Sequence, residues 1–394
     1  MSADAMSIIG KINGRLMDAG DGDPYLALPS KEEIRWLLPL GAPYSRAGVF
    51  DFYHPYSLKN KFLKFAVMAL IRMRLAGTVL AGNILFKDDS EGTGLKKTLE
   101  RSLGVKIDIS LSVNPLMDKA TGIIVNPDGC VIAYSKMGFS DHSAALINNE
   151  YESLQKVRAL GLVSCDIPEI TSFFIENGAT CVVETPSAKP CSISRLRLTK
   201  KHTVFLSELF GRTQKKGLLE ESAAYIRLHA KILTGIRSFP EEWRERFVKC
   251  MERLSQHRLI QMPGCLSHGD FAPWNILFAG PRKNIFLTDW EYCQEGLPFW
   301  DAFHFISHTN ILLNRCAQSA LTDMVFEESV RKEVYSEVCP EAAEDPEKLK
   351  ASFILYSVNM SLRYLEMYSI AGRLDMQTKK ILSVFGKVLD DYNR

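Results

Sequence analysis

The sequence has no C-x-x-C pair, no uninterrupted apolar run of membrane-spanning length, no internal repeat and no surplus of one charge, and each absence removes a class of protein. Its nine cysteines are odd in number and scattered, which excludes a disulfide framework or thiolate metal ribbon and suits reduced thiols in a cytoplasmic protein. The most apolar stretch, Phe62 to Leu85, is interrupted by Lys64, Arg72 and Arg74, short of the about 20 apolar residues that a spanning helix needs. Met1 to Gly10 lack the basic-then-apolar pattern of an export signal. A formal net charge of +2 over 394 residues argues against a dedicated nucleic-acid binder. With 46% hydrophobic and 24% charged residues, the composition is that of a soluble globular protein. The length suits two or three packed units of roughly 100 to 200 residues each.

Three regions differ in pattern. From Lys31 to about Leu103 the periodicity is helical and basic, with a polar break at 87–94 that carries two glycines. Strands are expected at Val105–Val113, Gly122–Val125 and Cys130–Lys136, the last two joined by the turn sequence Asn126-Pro127-Asp128-Gly129. A helix follows from about Ser143 to Leu160, on which Leu146, Glu150 and Leu154 recur at spacing four. Two more strands, Ile170–Ile175 and Thr180–Glu184, flank a turn at 176–179. Beyond Ser187 the pattern is helical except between Leu266 and Leu287.

That exception carries the chemistry. It contains His268-Gly269-Asp270-Phe271-Ala272-Pro273-Trp274-Asn275, then a short apolar strand, then Thr288-Asp289-Trp290-Glu291. Two short strands adjoining an acid and an amide are expected to form a β-ribbon that gathers Asp270, Asn275 and Asp289. Carboxylate and amide oxygens are hard donors suited to Mg²⁺. Phosphoryl transfer to a hydroxyl needs a proton acceptor and cations that offset the developing phosphate charge. Asp270 supplies the first, and Mg²⁺ on Asn275 and Asp289 the second.

At these residues the sequence resembles the aminoglycoside and choline phosphotransferase superfamily, the small-molecule relatives of protein kinases. His268-x-Asp270-x-x-x-x-Asn275 is similar to the catalytic loop, with Gly269 where protein kinases carry arginine, and Asp289 stands at the second metal-binding acid. The resemblance spans about Val105 to His304. It implies an α+β, bilobal protein-kinase-like fold, with a small β-rich N-lobe at 104–185, a larger helical C-lobe at 186–394 and a helical N-terminal extension at 1–103. It also implies that Lys136 binds the nucleotide phosphates, that Glu150 (with Glu152 as second choice) pairs with it, that Val183 to Pro186 is the hinge, and that Asp301 braces the loop backbone. The expected cofactors are Mg²⁺ and ATP, with GTP left open. One departure is the segment from Val113 to Thr121, which has no glycine where a phosphate-covering loop is expected.

The expected partner is a small molecule bearing a hydroxyl. A sugar or glycan precursor is favoured, because the sequence looks most like phosphotransferases of bacterial surface-polysaccharide work in its catalytic loop and in Arg35-Trp36-Leu37-Leu38-Pro39-Leu40. Tyr292, Phe299 and Trp300 would serve a choline cage, and Asp323, Glu327 and Glu328 an aminoglycoside. Competing readings are a nucleotide-binding pseudokinase scaffold, a metal-dependent phosphoesterase and a protein kinase; no A-P-E segment separates Asp289 from Asp301. His304 and His308, at spacing four, read as structural rather than as a metal pair. A basic helix at 59–74 is read either as packed on the core or as an anchor to the inner face of the membrane.

Overall fold

A computed structural model describes residues 25–30, 34–40, 58–85, 95–186, 191–235, 239–279, 284–313, 315, 320–372 and 374–394. The start at Met1–Gly10 and the polar break at 87–94 lie outside the described residues. The chain divides into two units, residues 1–152 with 168–188, and residues 153–167 with 189–394.

The first unit runs β1 (Tyr25–Pro29), β2 (Ile34–Pro39), α1 (Leu58–Arg72), a short helix (Ala76–Val79), β3 (Ile84–Leu85), α2 (Leu95–Leu103), β4 (Asp108–Asn114), β5 (Lys119–Val125) and β6 (Val131–Gly138). Helix α3 (Asp141–Ala159) follows; the next strand, β7 (Cys165–Asp166), belongs to the second unit, and β8 (Ile170–Glu176) and β9 (Ala179–Glu184) return to the first. Eight of these strands form one sheet in the order β3-β1-β2-β4-β5-β6-β9-β8.

Side-chain alternation along the strands builds a core on each face. Tyr25 and Ala27 join Leu37, Leu111, Ile124 and Leu99 of α2. Leu26 and Leu28 point the other way and pack with Leu38 and with Val67 and Ile71 of α1. Strands β1, β2 and β3 therefore share a sheet with the strands of 108–184. Helices stand at Leu58–Arg72 and Leu95–Leu103, but Tyr25–Pro29 and Ile34–Pro39 are strands, where a helical extension was expected from Lys31. A short apolar run such as Ile34-Arg35-Trp36-Leu37-Leu38 has no period that separates helix from strand.

The second unit contains β10 (Cys191–Ile193), α4 (Lys200–Thr213), α5 (Ala223–Gly235), α6 (Glu241–Ser255), β11 (Cys265–Ser267), β12 (Ile276–Ala279), β13 (Asn284–Leu287), β14 (Gln294–Gly296) and α7 (Trp300–Leu312). Short helices between Leu321 and Ala343 lead to α8 (Pro346–Ala371) and α9 (Met376–Asn393). Asp345 caps α8 by accepting from the backbone N–H groups of Glu347 and Lys348, with Pro346 in the first turn, and Gly372 ends it in the left-handed conformation. Two small sheets, β10-β12-β13-β7 and β11-β14, sit among these helices. Among the described residues Cys130, Cys165, Cys181, Cys250, Cys265 and Cys339 are free thiols.

Candidate active site

The β-ribbon expected around the acids is present. Strands β12 and β13 pair antiparallel, with Ile276 opposite Leu287, and the register continues as the Thr288 N–H donates to the Asn275 carbonyl at 3.1 Å. Asn275 and Asp289 thus leave the same end of one ribbon.

Asp301 organises the loop before it. Its carboxylate accepts from the Ser267 hydroxyl at 2.7 Å, the His268 N–H at 2.8 Å and the Gly269 N–H at 3.0 Å. Burial pushes the Asp301 carboxyl above the usual range, and the three donors oppose that shift. Gly269 has φ +80, and a Cβ there would stand 2.1 Å from the Tyr292 carbonyl oxygen. No larger residue fits, which accounts for the missing arginine. A guanidinium arrives from elsewhere: Arg363 of α8 donates to the Gly269 carbonyl at 2.9 Å and lies 4.0 Å over the Tyr292 ring.

His268 ties Asp270 to the end of β13. Its Nδ1 accepts from the Asp270 N–H at 3.2 Å, so its Nε2 carries the proton toward the Thr288 carbonyl, 3.0 Å away. Asn275 Nδ2 donates to the Asp270 carbonyl at 2.9 Å and to Asp270 Oδ2 at 2.8 Å. That orientation turns the Asn275 amide oxygen away from Asp270. Asp289 adopts φ +70, a region in which Asp and Asn are several-fold enriched, and an oxygen of its carboxylate lies within 4.8 Å of one from Glu291. An amide oxygen and two carboxylates are a donor set that fits Mg²⁺. Asn275 and Asp289 would hold the ion, and its chemistry there is to neutralise charge on a transferring phosphoryl group. Glu291 was not singled out from the sequence, although its place two residues after Asp289 was legible.

In the first unit, Lys136 Nζ lies 2.6 Å from Glu150 Oε1 and 3.9 Å from Glu184 Oε1, all three residues being buried. Glu152, the second choice, is exposed. Glu184 was missed as a partner, since in sequence it is only the last residue of β9. The segment in place of a phosphate loop is a turn of four residues, 115–118, between β4 and β5, with its left-handed position at Asp118, φ +50.

Other candidates have ordinary surroundings. Phe299 and Trp300 are core residues, and Tyr292 is covered by Arg363, so the three form no aromatic cage. Glu328 pairs with Arg331 and Lys332. A cavity of about 640 Å³ in the second unit is lined by residues such as Phe326, Lys350, Phe353 and Tyr392 and touches none of the proposed catalytic side chains.

Residues 213–323, which include this loop and ribbon, match the model of the phosphotransferase enzyme family. Choline kinase LicA from Streptococcus pneumoniae is similar in structure, at 15% identity and TM-score 0.50, over 76% of this chain and 99% of that one. The chain has the kinase-like phosphotransferase fold. This kinase-like chain is also similar to a thermostable mutant of aminoglycoside phosphotransferase APH(4)-Ia in a ternary complex with ADP and hygromycin B (11% identity, 74% and 97% covered, TM-score 0.48). A third similar structure is the ethanolamine kinase of Plasmodium vivax (12%, 73% and 81%, 0.46). A search of curated protein sequences returns no match.

Proposed function

We propose that the chain transfers the γ-phosphoryl group of ATP, as its Mg²⁺ complex, to a hydroxyl of a sugar or glycan precursor. The observation that carries the chemistry is the fixed Asp270 carboxylate, held by the Asn275 amide on a loop whose backbone Asp301 grips. Asp270 takes the proton of the attacking hydroxyl. Lys136, steadied by Glu150, offers its charge to the nucleotide phosphates. The named acceptors of similar proteins, choline, ethanolamine and hygromycin B among them, share a hydroxyl and little else, so fold alone leaves the acceptor open. The sugar reading rests on the sequence likeness in the catalytic loop. The test is ADP release from Mg·ATP and Mg·GTP by the full chain against sugars, amino alcohols and aminoglycosides. Turnover with sugars above the other classes supports the reading. Turnover confined to amino alcohols or aminoglycosides replaces it, and nucleotide binding without transfer to any acceptor favours the scaffold.

We also propose that α1 attaches the protein to anionic membrane. One side of the helix packs on the sheet through Val67 and Ile71, so the packed-helix reading holds for that side. Leu58, Phe62, Phe65 and Met73, at near-helical spacing, are 58% to 84% exposed on the other side. Leu70 packs inward, whereas Phe62 and Phe65 point out. Lys61 and Arg72 are exposed, and α1 contains no acid. Each basic residue near an anionic surface contributes about 1 kcal/mol. Sedimentation of the full chain with phosphatidylserine-containing vesicles should fall as salt is raised; no salt-sensitive sedimentation overturns the attachment.

A further inference from the structure

We infer that His304 is a positioning residue for Asp270, held by Tyr356 in the tautomer that presents Nε2–H to the carboxylate. The inference rests on the reading of Asp270 as proton acceptor.

Helix α7 places Asp301 and His304 three residues apart, hence on one face. The first grips the loop backbone, and the second reaches the side chain that the loop carries. His304 Nε2 lies 2.7 Å from Asp270 Oδ1, while Asn275 holds Oδ2 at 2.8 Å. The approach is close without being linear, since Nε2 has no partner in hydrogen-bond alignment. At 1% exposure an imidazole with an unaligned N–H is costly to keep unless that N–H is used.

The other ring nitrogen is also accounted for. The Tyr356 hydroxyl lies 3.2 Å from His304 Nδ1 and 3.5 Å from His308 Nδ1; burial keeps that phenol protonated, and its one proton is directed at the nearer ring, since the opposite arrangement would leave a bare Nε2 lone pair facing the Asp270 carboxylate. Nδ1 therefore accepts and the ring proton resides on Nε2. Burial, with help from the charges of Arg363 and His268, holds His304 well below the usual histidine range. A neutral ring steers Asp270 without competing for the proton that Asp270 takes. Behind it His308 stacks at 3.8 Å between ring centres and bonds the Tyr364 hydroxyl at 3.0 Å, which stops His304 from swinging away. The charged groups around the pair are Arg363 on the Gly269 carbonyl and Asp301 on the backbone of the same loop.

This arrangement has a consequence that mere packing lacks. A neutral N–H directed at one carboxylate oxygen fixes how the group is turned, so without it Asp270 keeps only the Asn275 bond to orient its side chain. The variants are His304→Phe, His304→Gln, whose amide can donate, and Tyr356→Phe. Two readouts on the full chain need no known acceptor. The first is Mg·ATP hydrolysis at fixed pH, read as kcat and KM, with water standing in as acceptor. The second is the ¹⁵N-histidine spectrum, which reports which ring nitrogen holds the proton.

His304→Phe should lower kcat for hydrolysis roughly tenfold, the worth of one hydrogen bond, with KM for Mg·ATP unchanged. His304→Gln should restore much of that loss. The spectrum should show His304 as the neutral Nε2–H form from pH 5 to 8, and Tyr356→Phe should admit the other tautomer. An unchanged kcat in His304→Phe, equal losses in Phe and Gln, or an Nδ1–H tautomer in the unmodified chain would each overturn the inference. Asp270→Asn separates the two levels: if it hydrolyses Mg·ATP normally, the base assignment itself fails, whereas an inactive Asp270→Asn beside unaffected His304 variants removes only His304.

Discussion

Replacing Asp301 by alanine tests whether this acid holds the loop or does chemistry. The carboxylate accepts three hydrogen bonds, from the Ser267 hydroxyl and the backbone N–H groups of His268 and Gly269, and alanine leaves all three donors buried without an acceptor. Each such donor costs about 1–3 kcal/mol. Part of that is returned, because burial works against the charge of Asp301, as its raised carboxyl shows. A net loss near the lower bound, about 3 kcal/mol, follows, and in a unit of this size that lowers Tm by about 6–12 °C. Asp301→Asn, which keeps one acceptor oxygen, should lose about half as much. The comparison is Asp289→Asn, which removes the charge yet tolerates the left-handed backbone at φ +70; its Tm without nucleotide should stay within a few degrees while Mg²⁺-dependent nucleotide binding is lost. Thermal melting by circular dichroism, with and without Mg·ATP, reads both. If Asp301→Ala melts like the unmodified chain and Asp289→Asn unfolds, the roles given to the two acids are interchanged.

Asp270→Asn keeps size and polarity but cannot take a proton, so phosphoryl transfer should fall by roughly 10² to 10⁴ with nucleotide binding retained, as read by turnover and nucleotide titration on the same folded sample. Lys136→Ala and Glu150→Ala should each weaken Mg·ATP binding, the lysine more, and a double-mutant cycle should be strongly non-additive because the two form one ion pair at 2.6 Å; simple addition refutes the pairing. Glu208 accepts from the Val163 and Ser164 N–H groups, the Ser164 hydroxyl and Arg212. Burial opposes its charge, but these donors more than offset that and hold the carboxyl below the usual range. Its contribution is therefore present above the ordinary glutamate pKa and lost as pH falls through the lowered one. The Tm gap between the unmodified chain and Glu208→Gln should be widest near neutrality and close on acidification.

Much of the site could be read before any coordinates, and the reason is local. Asp270, Asn275 and Asp289 lie on a loop and ribbon whose spacing is set within about twenty residues, so sequence neighbours stay spatial neighbours. The turn at Asn126-Pro127-Asp128-Gly129 was legible for the same reason: Asn126 Oδ1 accepts from the Cys130 N–H, and Gly129 supplies φ +79. Contacts spanning a large sequence gap were not legible. Arg363 reaches the Gly269 carbonyl from 94 residues away, and nothing in the sequence of α8 marks it. His304 was legible as a residue but not as a contact, because an apolar, aromatic helix such as Phe303-His304-Phe305 gives no sign of which turn faces the base. The strands before residue 40 were missed because burial on both faces removes the alternation that identifies a strand.

Placing β2 beside β4 changes what a shortened chain would be. Strand β4 pairs with β5 along its whole length, and on its other side with β2 at Ser112 opposite Trp36 and Leu111 opposite Leu37. A chain begun at residue 104, where the expected β-rich lobe starts, would strip that partner away. It would also uncover Ile109, Leu111 and Val113 beside an unpaired backbone, the template on which strands of separate molecules add to one another. Such a fragment should self-associate, whereas one that keeps β1 to β3 ends its sheet on a strand of two residues, too short to recruit a neighbour.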